Sequence, residues 1–393
     1  MDIRKVTTID ERVWSAMSNH LAFGGRRSME DIRKAVEESP ASNSDDWGCF
    51  TEDGRMMAHV NNEHRLTMFD GHEVLTGYIG CVSTFPEYRE SGAVRSIFTG
   101  HLFPEAYAKG EVFSYLFPFY HNFYRKFCYE TCCEIPVYRF PISALKGRRF
   151  GGEAKLWLPG NDMSEHLSVY GEFIRKYNLT HLRSAEEMKG RIHSDPFASR
   201  RYTYLLKNGE KACAYFTFSD ERKDGRHCIE VIDAAWLGKE GFDAILGFLS
   251  RYTADYEEII IRMPTDVKLG AIIPDGKALG LTAMNVYMAR VINAQKVLAL
   301  LKKPEGCEFT IEVTDTQIPE NNGVWHVAGD KAEKTDAAAD ISVSVTALGA
   351  MALGYVSLDT AEYRDDVKVN ANREVLEKVF VEKALYLNTA DHF

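Results

Sequence analysis

No apolar run in this sequence approaches the ~20 residues that a membrane-spanning helix requires. The longest candidate, around Ala347 to Leu358, is broken by glycines. The N-terminus, MDIRKVTTIDE, is charged and lacks the apolar core of a signal peptide. Eight cysteines in 393 residues make no dense disulfide scaffold. Cys128, Cys132 and Cys133 cluster, but no second pair stands at zinc spacing and no HExxH-type helix occurs, so no metal is expected. Basic excess is missing too: Lys and Arg number 47 against 57 Asp and Glu, a net charge of −10. Nucleic acid as the main partner would demand clustered cations. A reduced, cytoplasmic protein is the simplest reading. The negative charge would suit a cationic small substrate, and it serves solubility equally well.

What is present is ordinary in amount and informative in order. Apolar residues make up 45% and charged residues 26%, as in soluble globular proteins, and the length suits two or three domains. A short strand, Ile3 to Val6, precedes a helix opened by Thr8 and Glu11 as a capping box, and Ser28 with Asp31 signals a second helix. Three strands follow in a meander, Trp47 to Thr51, Arg55 to Phe69 and His72 to Thr84, turned at Asp53-Gly54 and Asp70-Gly71. A helix is expected from Gly92 to Lys109, then a strand from Val112 to Phe117 and a short helix carrying Tyr124.

A similar order returns after residue 160. Strands Tyr202 to Lys207 and Ala212 to Ser219 flank Asn208-Gly209, and Asp224-Gly225 leads into strand Cys228 to Trp236. A helix from Gly241 to Tyr256 and a strand from Glu258 to Met263 complete the repeat. The last ~100 residues read as a small α+β unit with a helix near Ala294 to Leu301, strands near Glu308, Val324 and Ile341, and a helix from Arg373 to Lys383. The expected plan is an α+β chain of three segments, 1–145, 146–290 and 291–393, the first two sharing one fold.

The chemistry concentrates in Ser83-Thr84-Phe85-Pro86-Glu87-Tyr88-Arg89-Glu90-Ser91-Gly92-Ala93-Val94. A strand stopped at Pro86 and followed by Arg89-x-x-Gly92-Ala93 at a helix start makes an anion cradle, because backbone N–H groups and the helix dipole converge there. An ordinary strand-to-helix turn has the same outline. About thirty residues on, the chain reads His121-Asn122-Phe123-Tyr124-Arg125-Lys126-Phe127-Cys128.

Together these stretches resemble the acetyl-CoA motif and the "F-Y-x-x-x-G-Y/F" segment of GNAT N-acetyltransferases. The resemblance implies that Arg89 to Val94 hold the pyrophosphate, that the Ser83 to Phe85 edge pairs with the pantetheine arm, and that Tyr124 protonates the leaving thiolate. Departures are Glu90 and Ser91 where basic residues are usual, Val94 where a small residue is usual, and Cys128 in place of Gly. The chain ends on Phe393, as do enhanced intracellular survival (Eis)-type members. Their terminal carboxylate assists deprotonation of the amine. That likeness implies tandem GNAT-like domains, a C-terminal sterol-carrier-protein-like domain and a homo-oligomer, commonly a hexamer. It also places Trp14 and Phe23 beside the acceptor. The second repeat carries Gly238-Lys239-Glu240-Gly241 where the cradle would stand and is read as structural.

The expected activity is direct acetyl transfer from acetyl-CoA to a primary amine of aminoglycoside, polyamine or lysine type. The alternative is a non-catalytic GNAT-fold binder with a degenerate CoA site. Weaker readings make the last domain a lipid carrier, or place a thiol hydrolase on Cys128 and His121.

Overall fold

The computed structural model describes residues 1–39, 44–192, 195–274, 276–388 and 391. Strands β1 (Asp2–Lys5), β2 (Ser44–Phe50), β3 (Met56–Phe69) and β4 (His72–Thr84) form an antiparallel run, and β5 (Phe113–Leu116) joins β4 in parallel. The hairpin between β3 and β4 turns at Asp70 and Gly71, with φ of 50° and 88°. A two-residue turn of this hand matches the twist of the strands it joins. The helix Ile9–Phe23 starts with both halves of the Thr8–Glu11 capping box in place.

The expected single helix over 92–109 is instead two short α-helices, Ala93–Ile97 and Phe103–Lys109, joined by a π-helical turn over Phe98–Leu102. Pro104 has no N–H to return to the carbonyl of Gly100, so the regular ladder cannot run through.

The second half repeats the scheme. β7 (Glu153–Leu156), β8 (Arg201–Asn208), β9 (Lys211–Lys223) and β10 (Arg226–Trp236) run antiparallel, and β11 (Glu258–Arg262) lies parallel to β10 after the helix Gly238–Leu249. That helix ends at Leu249, short of the expected Tyr256.

Two long strands absent from the sequence-based expectation join the halves. β6 (Glu130–Pro141) leaves the first half and pairs with β11, from Glu258↔Pro141 to Arg262↔Val137. β12 (Gly280–Val291) comes back from the second half to pair with β5, from Met288↔Leu116 to Val291↔Phe113. β6 and β12 also pair with each other, so the halves fuse into one sheet of order β1-β2-β3-β4-β5-β12-β6-β11-β10-β9-β8-β7. Pro136 and Pro141 within β6 argue against a central strand when read alone.

The last segment builds a second sheet from β13 (Glu308–Thr314), β14 (Gly323–Ala328), β15 (Lys331–Thr335), β16 (Ile341–Ser344) and β17 (Val367–Val369), in the order β15-β14-β13-β16-β17. The apolar helix Val345–Leu353 packs against β6 and β12, which explains the longest apolar stretch of the sequence as core. Arg290 of β12 adds a buried tie, its Nη2 donating to both carboxylate oxygens of Asp315 at 3.0 and 2.9 Å and its Nη1 to the Phe127 carbonyl at 2.6 Å.

In the second half His166 is buried against Tyr215, with neither ring nitrogen hydrogen-bonded. Burial pushes its imidazole from 6.5 down to about 4. The folded state therefore holds this ring neutral. Its contribution is complete above pH 6.5 and is lost as the pH falls toward 4, by an amount on the order of 3 kcal/mol. Urea midpoints measured across that window should fall less steeply for His166→Leu than for the wild type. Equal slopes would remove His166 from the account.

Candidate active site

β4 and β5 touch only at Thr76–Ile79 and Phe113–Leu116. Beyond Ile79, β4 runs on to Thr84 with β3 alone beside it, so one edge of β4 lies open. A bulge re-aims that edge. The pairing shifts between His59↔Ser83 and Asn61↔Gly80, and Cys81 takes a left-handed φ of 52°. Phe85 N–H donates to the Met57 carbonyl at 3.0 Å. Antiparallel alternation then turns the N–H of Thr84 away from β3, toward the open edge.

Side chains on this stretch divide by face. Ser83 is buried, donating to Asn19 Oδ1 at 2.8 Å and accepting from Ser18 Oγ at 2.8 Å, which ties β4 to the helix Ile9–Phe23. Phe85 is buried, with Trp14 edge-on at 5.7 Å. Trp14 thus supports the strand from behind, whereas Phe23 reaches the cleft and is largely exposed.

After a turn at Pro86–Tyr88 the chain forms the cradle. Arg89 N–H is committed to the Pro86 carbonyl, and Ser91 Oγ accepts the N–H of Ala93 at 3.4 Å. Gly92 has φ 84° and open space where a Cβ would stand, so glycine is needed there for backbone conformation rather than room. Glu90 also takes the left-handed conformation, at 66°. In the helix that begins at Ala93, the N–H groups of Val94 and Arg95 have no intrahelical carbonyl to bond.

A cavity of about 700 Å³ occupies the space between this cradle, the open edge of β4 and the segment after β5. Ser83, Thr84, Arg89, Glu90, Gly92, Ala93, Val94 and Phe23 all line it; Phe85, Ser91 and Trp14 do not. Arg89, Arg95 and Lys126 face it without an ion pair among the described residues, and Glu90 is the one carboxylate in its wall. In a chain of net charge −10, that is a local excess of positive charge.

The far wall is aromatic. Phe119, Phe123 and Phe127 stand four residues apart around the short helix His121–Arg125, and all three line the cavity. Their four-residue spacing is the one signal in the sequence for this wall; Lys126 carries none of its own.

Tyr124 lies behind these rings, 3% exposed, with Phe119 at 5.5 Å and Phe123 at 5.1 Å. Its hydroxyl makes no hydrogen bond among the described residues, and burial pushes the phenol well above its usual value of 10. Cys128 has φ 61°, which accounts for the glycine that the motif carries at this place. Its thiol meets Thr316 Oγ at 3.4 Å rather than His121, so no Cys–His pair forms.

The C-terminal tail returns to the sheet. Leu385 bonds with Thr265 and Tyr386 with Asn178. Asp391 is buried, accepting from Arg183 Nε at 2.8 Å, while Arg183 Nη1 also donates to Asp233 at 2.6 Å. Asp391 is close enough to β4 that its charge adds to burial in raising the phenol of Tyr78. Phe393 lies outside the described residues.

Among the described residues, the helix start of the second repeat carries Gly238-Lys239-Glu240-Gly241, with no arginine in the place of Arg89. A Cβ on Gly241 would sit 2.2 Å from the Cys213 carbonyl, so that glycine lets the helix press onto β9.

Comparison with known proteins bears on the fold. Residues 2–132 match the family model described as an acetyltransferase (GNAT) domain, and residues 290–388 match a sterol carrier protein domain. No curated protein matches the chain in sequence. Among solved structures, Eis1 from Mycobacterium abscessus is similar over 100% of both chains, with a TM-score of 0.84 at 18% identity. A probable N-acyltransferase from Enterococcus faecalis V583 gives a TM-score of 0.84 at 20% identity, over 100% of this chain and 99% of that one. A GCN5-related N-acetyltransferase from Anabaena variabilis gives 0.84 at 18% identity over 100% of both. At these identities the likeness is one of fold.

Proposed function

Given a chain that carries an acetyltransferase (GNAT) domain and a sterol carrier protein domain, we propose that it moves an acetyl group from acetyl-CoA to a primary amine within a ternary complex. The observation that carries this reading is the cavity itself. An open strand edge, a helix start and three unpaired cations meet on one space of about 700 Å³, a size that suits a nucleotide-bearing ligand.

Acetyl-CoA would supply an activated thioester. The chain's own residues would bind and orient it. Arg89, Arg95, Lys126 and the helix start would hold the phosphates. The Thr84 N–H would donate to the thioester oxygen, where negative charge grows as the amine attacks the carbonyl carbon. As the C–S bond breaks, the Tyr124 hydroxyl would donate to the departing sulfur. A phenol raised by burial gives up its proton only to an equally desolvated thiolate, so hydrogen bonding comes first and transfer follows. The Phe393 carboxylate would attract the ammonium and take its proton. Holding both substrates removes much of the entropic barrier.

A second reading rests on Glu90 in the cradle wall and on Tyr124 behind the rings: a GNAT fold that binds a ligand without turnover. Calorimetry of acetyl-CoA against the untagged protein separates the two. Micromolar binding, weakened at least ~tenfold by Arg89→Glu, supports the cradle. Absence of binding at millimolar concentration would leave the second reading.

A further inference from the structure

A different cleft, of about 610 Å³, opens where the parts of the chain meet. The Asp70–Gly71 turn of the first half, Arg175 and Lys176 after the helix Ser164–Ile174, Lys302 and Lys303, Lys378 and the tail residues Val381, Lys383 and Ala384 form its walls. Six cations line it, Arg175, Lys176, Lys302, Lys303, Lys378 and Lys383, with a single carboxylate, Asp70.

That carboxylate is already saturated. Asp70 accepts from Lys383 Nζ at 2.6 Å, from the Lys302 N–H at 2.7 Å and from Asn178 Nδ2 at 3.1 Å. Lys176 pairs with Asp266 at 3.2 Å, outside the cleft wall. Lys303 spends its donors on the carbonyls of Leu298, Ala299 and Leu301. Arg175, Lys302 and Lys378 are left with no ion pair among the described residues.

Burial holds both Lys303 and Lys383 below the ordinary lysine range, as happens where desolvation outweighs the anions at hand. Such a cluster repels itself in a chain whose overall charge is negative, and an anion relieves it.

We propose that this cleft binds a small phosphorylated molecule carrying at least two phosphate groups. Three free cations from three different segments ask for more than one negative charge. The concave shape and its size fit a compact ligand rather than a long polyanion, which the remaining surface would repel. One wall is the start of the C-terminal tail, whose continuation is fixed at Leu385 and Asp391. A bound anion would therefore brace the tail against both halves of the large sheet.

The probe is inorganic tripolyphosphate, titrated calorimetrically into the untagged full chain, with melting temperature as a second readout. Expected results are saturable binding at one site and a rise in Tm. Lys302→Glu with Lys378→Glu should weaken binding at least ~tenfold, and Arg89→Glu should leave it unchanged. Both lysines are exposed, and the variant's own melt checks that it folds. No saturable binding at millimolar probe would overturn the proposal. So would binding abolished by Arg89→Glu but intact in the double variant, since the probe would then occupy the acetyl-CoA cradle. A third overturning result is charge-dependent flotation with phosphatidylserine vesicles without tripolyphosphate binding, which would make the cleft part of a membrane-facing surface.

Discussion

Replacing Tyr124 with Phe is expected to lower kcat by ~10²- to 10⁴-fold while leaving the KM for acetyl-CoA within a small factor. The substitution keeps the ring and its contacts with Phe119 and Phe123, and removes a hydroxyl with no protein partner to lose. Stability should accordingly change by less than about 0.5 kcal/mol. A thiolate leaving from an apolar pocket has no solvent to meet its charge, so losing the donor acts on the transition state and not on ground-state binding. Thiol release followed by absorbance, with an amine in excess, reads kcat directly. Turnover within ~threefold of wild type would reduce Tyr124 to a wall behind the aromatic rings.

Extending the chain beyond Phe393 by a few residues is expected to cut turnover ~100-fold, with acetyl-CoA affinity preserved. The tail is not free to make room. Asn388 and Asp391 are buried, and Asp391 shares a dense network with Arg183 and Asp233. Freeing the terminus by drawing Asp391 out would take one of two carboxylate partners from the buried Arg183, which would keep Asp233 alone. On the proposed mechanism, added residues would take the terminal carboxylate away from the amine. Initial rates of a C-terminally tagged and an untagged protein, prepared side by side, provide the comparison. Equal rates would remove Phe393 from the mechanism.

The cradle was legible because its parts are neighbours in sequence. Pro86, Arg89, Gly92 and Ala93 encode a strand end and a helix start within a few residues, and Asp70-Gly71 or the Thr8–Glu11 box encode their own turn and cap. The repeated strand order was visible for the same reason. Features held by distant partners were not. Asp391 and Arg183 are 208 positions apart, and Arg183 and Asp233 are 50 apart, so neither pairing leaves a local trace. The exchanged strands escaped too. β12 is exposed from Gly280 to Ala283 and buried on both faces only from Tyr287 to Val291, so it carries no sustained two-residue alternation, and Pro136 disguises β6. The cluster of free cations at the second cleft is assembled in the same way, from lysines that look like ordinary surface charge one segment at a time.

The exchange of β6 and β12 also bears on how the chain is made. During synthesis, β5 emerges from the ribosome with its outer edge bare, and Leu116 waits for Met288, about 170 positions later. At ordinary elongation rates that interval is roughly ten to thirty seconds. For that time the nascent first half holds the cradle on a sheet whose edge is open to any passing strand. Contacts of such long range also slow folding itself. The sheet that carries the candidate cleft, although its lining is written in the first third of the sequence, becomes whole only after most of the polypeptide has been translated.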